Sequence, residues 1–446
     1  MNYIVSFIVS FRILILPVIL DCVFLEKSIA HEYTLTEAIE EAQRNDPWLE
    51  GSRFRQKSLE ALSVSASSLP DPSINIGVAN LPVDSFDFNQ EAMTQFKVGV
   101  NQMFPRGKTR ALQEEKFDRL SLMQPLMRAE RNAKVAVMVS HLWLEVYRTQ
   151  KTITIIEKDR GLFEHLVGVA ESSYTTALGK TRQQDLVRAQ LELTSLDDRL
   201  TQLRQKRESQ IALLGEWLVG NSYDIQIEAS VNPDLALNNK NLVEETELAA
   251  KAQLLSEILA AHPLIKSFNQ KLDAAETDVK LSEQNYKPQW GVNASYAYRD
   301  ADPVGNTRAD FFSAVVSFDL PLFTGNRQDK QVQAAIAEHE SVKTERALAL
   351  RQLRAGFEAA EAGYLRLKDR RDLFNQRLLK EMVDQAEASL NAYTNDTGDF
   401  AEVVRARIAE LNARIDALNI EVDIQKMIAQ LNYFFAADVA GENGHE

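Results

Sequence analysis

Residues 101–110 read NQMFPRGKTR. The stretch just before, QFKVGVNQ (95–102), alternates apolar and polar residues with a period of two, the signature of a strand with two different faces. Beyond residue 110 the chain continues as a charged run of many helical turns. Proline cannot donate to a strand ladder, so Pro105 ends the strand. Gly107 supplies backbone freedom for a turn. The decapeptide therefore predicts a sharp corner at which a sheet strand becomes a very long helix.

The same corner recurs downstream as SFDLPLFTGNR (317–327), with Pro321 and Gly325. The recurrence has a fixed offset. Pro47, Pro72 and Pro105 are followed by Pro263, Pro288 and Pro321, and 263 − 47, 288 − 72 and 321 − 105 all equal 216. The flanks match in kind, QRNDPWLEGSRFRQKSLEA against LAAHPLIKSFNQKLDAAET. YTTALGKTRQQDLVRAQLEL and YTNDTGDFAEVVRARIAEL form a later pair. Fixed-period self-similarity is the mark of a duplicated unit. Three segments are predicted: a secretory signal over 1–30, a first structural repeat over 31–245 and a second over 246–446 with a C-terminal tail.

Each repeat reads helix, strand, loop, strand, long helix, short turn, return helix. Thr34 and Glu37 form a T-x-x-E capping box at the first helix start. The strands are predicted at 72–80, 93–104, 288–298 and 310–320. Their apolar sets all fall on even numbers: Ile74, Ile76 and Val78; Phe96, Val98 and Val100; Trp290, Val292, Ala294, Tyr296 and Tyr298; Phe312, Ala314, Val316 and Phe318. Small and polar residues take most of the odd positions. A soluble sheet laid on a core gives the same alternation. Yet nothing obvious in the chain remains to cover this sheet, and strands of this length with one apolar face fit a membrane barrel with its polar side inward. Four strands cannot close a barrel, and an open edge in lipid leaves backbone groups unpaired at several kcal/mol each. A membrane reading therefore requires several copies to pool their strands.

The long helices carry apolar residues at alternating spacings of three and four, as in a coiled coil. One stripe runs Val135, Val139, Leu142, Val146, Ile153, Ile156, Phe163, Val167; the other runs Leu350, Leu353, Phe357, Ala360, Tyr364, Leu367, Phe374, Leu378. A helix of about 70 residues spans roughly 100 Å. The opening helix (about 34–68) and the return helix (about 183–217) are each near half that length. Each half thus offers one long stave and one composite stave, four staves for four strands. The fold class predicted is mainly α with a small membrane β part.

The composition excludes several functions. A formal charge of −14 argues against a nucleic-acid partner. It fits ordinary solubility, or a lumen that favours cations. Cys22 is the single cysteine, so neither a disulfide within the chain nor a cysteine metal cage can form. It lies in the signal segment, where RILILPVIL precedes Ser28-Ile29-Ala30. Asp21 before Cys22 is not the small residue a lipidation site needs. The six histidines are scattered, and no phosphate loop, nucleophile elbow or dinucleotide glycine pattern is present. Neither an enzymatic activity nor a cofactor or bound metal is expected. Met123 and Met127 read as helix packing rather than soft-metal ligands.

Taken together, the duplicated openings NDPWLEGSR and AHPLIKSFN, the two strand-to-helix corners and the two YxxxxG…RA turns resemble the outer-membrane factor family, the TolC-like exit ducts of Gram-negative bacteria. The resemblance covers nearly the whole mature chain. It implies a homotrimer with a twelve-stranded outer-membrane barrel and a twelve-helix periplasmic tunnel. It also implies docking to a periplasmic adaptor and an inner-membrane pump of the resistance-nodulation-division (RND) type. The first half, PDPSINIGVANLPVDSFDF…QMFPRGKTR, looks most like the heavy-metal branch, the CzcC- and CusC-like ducts, which implies export of metal cations. Drug efflux or type I secretion through the same fold, or a non-pore secreted coiled-coil scaffold, are the alternatives. In TolC-like members a D-x-x-D-A pattern narrows the tunnel entrance. Here the matching stretches are Glu402-Val403-Val404-Arg405-Ala406 and Asp185-Leu186-Val187-Arg188-Ala189, with arginine at the second acidic position. The gate expected from the resemblance comprises Glu402, Arg405, Asp185 and Arg188, with Asp396 and Asp399 in the adjoining turn. Residues three apart on a helix are neighbours, so Glu402 and Arg405 read equally as a surface ion pair.

Overall fold

The computed structural model describes residues 32–175, 183–218, 225–230, 232–245, 247–395 and 397–436. The signal segment with Cys22, the turn LGKT, Asp396 and the tail beyond 436 lie outside the described residues.

The first half opens with β1 (Glu32–Tyr33), α1 (Leu35–Asn45) and α2 (Pro47–Ser67). The capping box is present: Thr34 Oγ1 accepts from Glu37 N at 3.2 Å, and Glu37 Oε2 accepts from Thr34 N at 2.9 Å. The single opening helix expected over 34–68 is instead two helices. Asp46 holds an extended backbone and caps α2 through Trp48 N at 3.0 Å, and Pro47 takes the first helical position, where its missing N–H costs nothing. Next come β2 (Ser73–Ala79), β3 (Gln95–Phe104), α3 (Thr109–Thr175) and α4 (Gln183–Leu214). A linking segment holds β4 (Gln226–Ile227), parallel to β1, and α5 (Lys240–Glu244). It packs Ile225, Leu242 and Val243 into cores shared with α3, α8 and α10.

The second half runs α6 (Leu248–Ala261), α7 (Pro263–Glu283), a short 3-10 turn (Gln284–Tyr286), β5 (Trp290–Tyr298), β6 (Phe311–Phe318), α8 (Gln328–Leu373), α9 (Leu379–Thr394) and α10 (Phe400–Phe434). The long helix expected here is interrupted. A π-helical turn over Phe374–Leu378 separates α8 from α9. A π-turn inserts a residue into the helix and rotates everything after it. Accordingly the buried stripe Leu353, Phe357, Ala360, Tyr364 does not continue in register, and Ala386 is the buried residue on α9.

No described helix is long and apolar enough to cross a membrane. The hydrophobic interior of the described residues is helical apart from β1 and the linking segment. One core joins α6, α7, α8 and α10 around Phe357, whose ring meets Phe434 and Phe435 edge-on at 5.9 Å. A second joins α1, α3 and α4 around Trp143, and a third joins α3, α4 and α10 around Phe400 and Leu411. No residue of β2, β3, β5 or β6 belongs to any of them.

At position 46 + 216, His262 takes the place of Asp46. It caps α7, accepting from Leu264 N through Nδ1 at 3.2 Å while its Nε2 faces the Tyr433 carbonyl at 3.0 Å. Both contacts require the neutral ring with its proton on Nε2. The ring is fully buried. Burial pushes its pKa below the ordinary 6.5; the Tyr433 carbonyl and Glu130 pull it up, and Lys134 adds to the lowering. An unfolded chain therefore takes up this proton at higher pH than the folded one, so stability is intact above about pH 6.5 and is lost as pH falls below it. A thermal melt at about pH 5.5 is expected to lie below one at about pH 7.5. His262→Asn, which keeps a capping acceptor without a titrating ring, should shrink that difference. His141, also depressed by burial, accounts for a remaining part.

Candidate functional site

The four strands pair in the order β2-β3-β5-β6, all antiparallel. Registers match even residues with even. Ile76 faces Val98, Tyr296 and Phe312 in one row, and Ile74 faces Val100, Ala294 and Ala314 in the next. The large apolar residues of the even face are exposed, from 67% for Ile74 to 37% for Val98 and 73% for Phe312. Aromatic rows flank it. Phe104, Trp290 and Phe318 stand in register at one end, with Trp290 and Phe318 rings 4.9 Å apart, and Phe96 faces Tyr298 at the other. An apolar band between two aromatic girdles is the outer surface of a membrane barrel.

The helices follow the same order. Along α3 the opening and return helices stack end to end: α2 meets it through Ser63 and Asp118 (2.6 Å) and Arg128 and Gln56 (2.8 Å), and α4 through Thr149 and Gln210 (2.8 Å) and Arg204 and Glu157 (2.9 Å). On its other flank α3 meets α7 through Lys116 and Asp278 (2.7 Å) and α10 through Tyr433 and Glu130 (3.2 Å). The α8 helix then packs on α7, through Lys271 and Glu345 (2.6 Å), and on α10 through Phe357 and Phe434. The result is a wall of four staves, α2/α4, α3, α7/α10 and α8/α9, leading into β2, β3, β5 and β6 in the same order.

At the first corner Gly107 has φ +44°, and a Cβ there would stand 2.4 Å from Lys287 Cδ and 2.5 Å from Gln284 Oε1. The left-handed conformation favours glycine, and a side chain here would also displace the ends of Lys287 and Gln284. Gln284 Oε1 accepts from Lys108 N at 3.0 Å. Arg106 reaches across to the Lys287 carbonyl at 2.6 Å and forks onto the Asp319 carboxylate of the second corner. Asp319 also accepts from Gln289 N at 2.6 Å. Arg106, Gln284 and Asp319 thus knit the two corners together. Sequence reasoning singled out Pro105 and Pro321 here, not these three, because their spacing of roughly two hundred residues carries no local pattern. Gly325 is different from Gly107: nothing lies within 4 Å of a Cβ built on it and its φ is ordinary. The turn before α8 is made instead by Thr324 O, which accepts from Arg327 N at 3.1 Å and Asp329 N at 3.0 Å.

At the far end of the wall the starts of α4 and α10 come together, with Ala189, Phe400 and Val403 in one core. Asp185 is buried and Arg188 exposed. Asp399 caps α10, accepting from Ala401 N at 3.2 Å. Glu402 and Arg405 pair with each other on the surface of α10 at 3.0 Å, with 47% and 70% of their side chains exposed. Within this chain that pair bridges no two staves. A buried bridge between staves near this end is made by Arg414, whose guanidinium holds Asp159 of α3 at 3.2 Å and also pairs with Glu410; Arg407 holds Glu410 at 2.7 Å. Asp159 and Glu410 are both buried. Two buried acids with two arginines across helices had no signature in the sequence beyond acid-rich helical spacing.

Residues 254–433 match the family model described as outer membrane efflux protein. No curated protein matches the sequence. Among solved structures, the chain is similar to the outer membrane protein VceC of Vibrio cholerae (14% identity, TM-score 0.72, covering 90% of this chain and 96% of that one). It is similar also to CusC, described as forming a transmembrane channel (13%, 0.73, 92% and 93%), and to the CmeC outer membrane channel of Campylobacter jejuni (13%, 0.71, 90% and 85%). The second half thus carries the match to the outer membrane efflux protein family, and the chain shares, over about nine-tenths of its length, the fold of these outer-membrane channels.

Proposed function

We propose that three copies of this chain close into one duct, a twelve-stranded barrel in the outer membrane continued by a twelve-stave periplasmic tunnel, and that it serves as the exit of a tripartite efflux system. The observation that carries this is the matched order of staves and strands, ending in a sheet whose apolar face is uncovered and whose edge strands, β2 and β6, have no further strand beside them among the described residues. An edge in lipid must find a partner strand, and in this chain the partner of β6 is the β2 of a neighbouring copy. Supporting it, the two hairpin loops lie together at one end, where Arg299 reaches the Ala92 carbonyl at 3.2 Å and Arg308 the Glu91 carbonyl at 3.1 Å. In the duct they face outside the cell. The halves 31–245 and 246–446 act as tandem repeats, each giving two strands and two staves. Glu402, Arg405, Asp185, Arg188 and Asp399 line the periplasmic gate, and Pro105 and Pro321 mark where barrel becomes tunnel. An adaptor and an inner-membrane pump of the RND type are its partners.

Mass measurement in detergent or nanodiscs tests the assembly; trimers are expected, and a monomer in lipid overturns the duct. The cargo reading is heavy-metal cations, supported by the likeness of the first half to the heavy-metal branch and by the fold shared with CusC. A null strain should then become sensitive to one or more soft or divalent metals in a metal-by-metal growth screen. Sensitivity confined to dyes and detergents replaces metal with drug export.

A further inference from the structure

Burial marks the odd-numbered face as the concave side of the sheet. Gly99, Gly291 and Ala297 are buried although no described element packs on that face. A Cβ on Gly99 would stand 3.2 Å from Ser295 Cβ, and one on Gly291 only 2.7 Å from Ser317 Oγ and 3.0 Å from Met103 Sδ. Side chains converge on the inner side of a curved sheet and diverge on the outer one, so small residues collect inside. In a closed barrel this face lines the water.

That lining is almost chargeless. Across β2, β3, β5 and β6 there is no acidic residue, and Lys97 is the one basic residue. It sits on the concave face, half-buried, with Gly77 and Ala297 as its register partners. Neither partner offers a counter-charge or the bulk to cover the ammonium. Lys97 adjoins the Phe96–Tyr298 row, so it lies just inside the end where the hairpin loops gather. Those loops are acidic: Asp84, Asp87, Glu91, Asp300, Asp302 and Asp310 against Arg299 and Arg308.

We propose that Lys97 is the charge filter of the barrel, a ring of three ammonium groups that favours anionic over cationic solutes at the outer end of the lumen. This rests on the duct reading. Rings of lysine or arginine select for anions, and low-dielectric walls focus their field more strongly than solvated loops focus theirs. Free divalent cations are then disfavoured at this level, so on the heavy-metal reading the cargo passes it complexed to ligands that leave it neutral or anionic.

The test uses cells carrying the full chain with Ser295→Cys, a concave-face position one strand over and close to Lys97. The chain's other cysteine, Cys22, is in the signal segment. Labelling rates are measured from outside with an anionic and a cationic methanethiosulfonate. The anionic reagent is expected to be favoured with Lys97, and the ratio should fall about threefold or more in Lys97→Gln and further in Lys97→Glu. Lys97→Arg should preserve it. A ratio unchanged by Lys97→Gln overturns the filter alone. No labelling of Ser295→Cys by either reagent shows that this face lines no outward-open lumen, which overturns the duct and the filter with it.

Discussion

Val100→Arg is expected to keep the chain out of the outer membrane, while Asn101→Arg, one residue further along the same strand, leaves assembly intact. Val100 stands in the row Ile74–Val100–Ala294–Ala314, midway between the two aromatic rows. A guanidinium on the lipid face at mid-depth costs about 2–4 kcal/mol, falling toward zero near the girdles. On the duct reading, three copies in one barrel triple that penalty. Asn101 faces the concave side, pairs in register with Ser73 and Asn293, and would place the same charge in water. The two substitutions introduce the same side chain at adjacent positions of one strand, so its propensity, size and charge are common to both and facing is what separates them. The measurement is the fraction of each variant recovered as trimer in outer-membrane fractions. Equal recovery would mean that the sheet does not divide lipid from water.

That facing was legible because a strand's side chains alternate strictly, and a register slip of one residue would have inverted every row. The long staves were legible for a similar reason, since an apolar stripe at spacings of three and four survives over many turns. The failures share one cause: they depend on residues distant in sequence or on a single local departure from periodicity. Pro47 was visible as a repeat mark, yet its consequence, a helix break capped by Asp46, needs Arg131 nearby to hold that carboxylate at 2.6 Å. The π-turn at Phe374–Leu378 leaves the spacing Leu367, Phe374, Leu378 outwardly regular, so only packing reveals that the buried face has rotated. The Arg106–Asp319 fork joins residues 213 positions apart. At the expected gate, Glu402 and Arg405 were close in sequence and proved close in space, but on one helix.

The stave-bridging arginine is where a substitution should be felt most in the tunnel. Arg414→Ala is expected to destabilise the α3–α10 contact by on the order of 3 kcal/mol, because it leaves the buried Asp159 carboxylate uncompensated. Asp159 and Glu410 keep 7% and 5% of their side chains exposed. Burial pushes the Asp159 carboxyl above its usual range, the Arg414 charge opposes that, and Glu410 adds to it. Without Arg414 the aspartate has burial and a neighbouring acid on one side of the balance, and its proton uptake should move to higher pH. The loosened contact lies in the half of α10 that begins at Asp399, so on the duct reading the variant also leaks more current through a planar bilayer. Glu402→Gln and Arg405→Ala disturb an exposed pair worth under about 1 kcal/mol of stability. If either alters conductance, it does so as a charge at the mouth and not as a brace. Asp159→Leu combined with Arg414→Met should regain most of the lost stability, since apolar replacement of a buried pair is often neutral, while Arg407 still satisfies Glu410. Denaturation of the detergent-solubilised protein reads the first effect and single-channel recording the second. An Arg414→Ala protein as stable and as tightly closed as its parent would show that this bridge adds nothing to the apolar core and to the other α3–α10 pairs, Arg148 with Asp423 and Lys426 with Glu145.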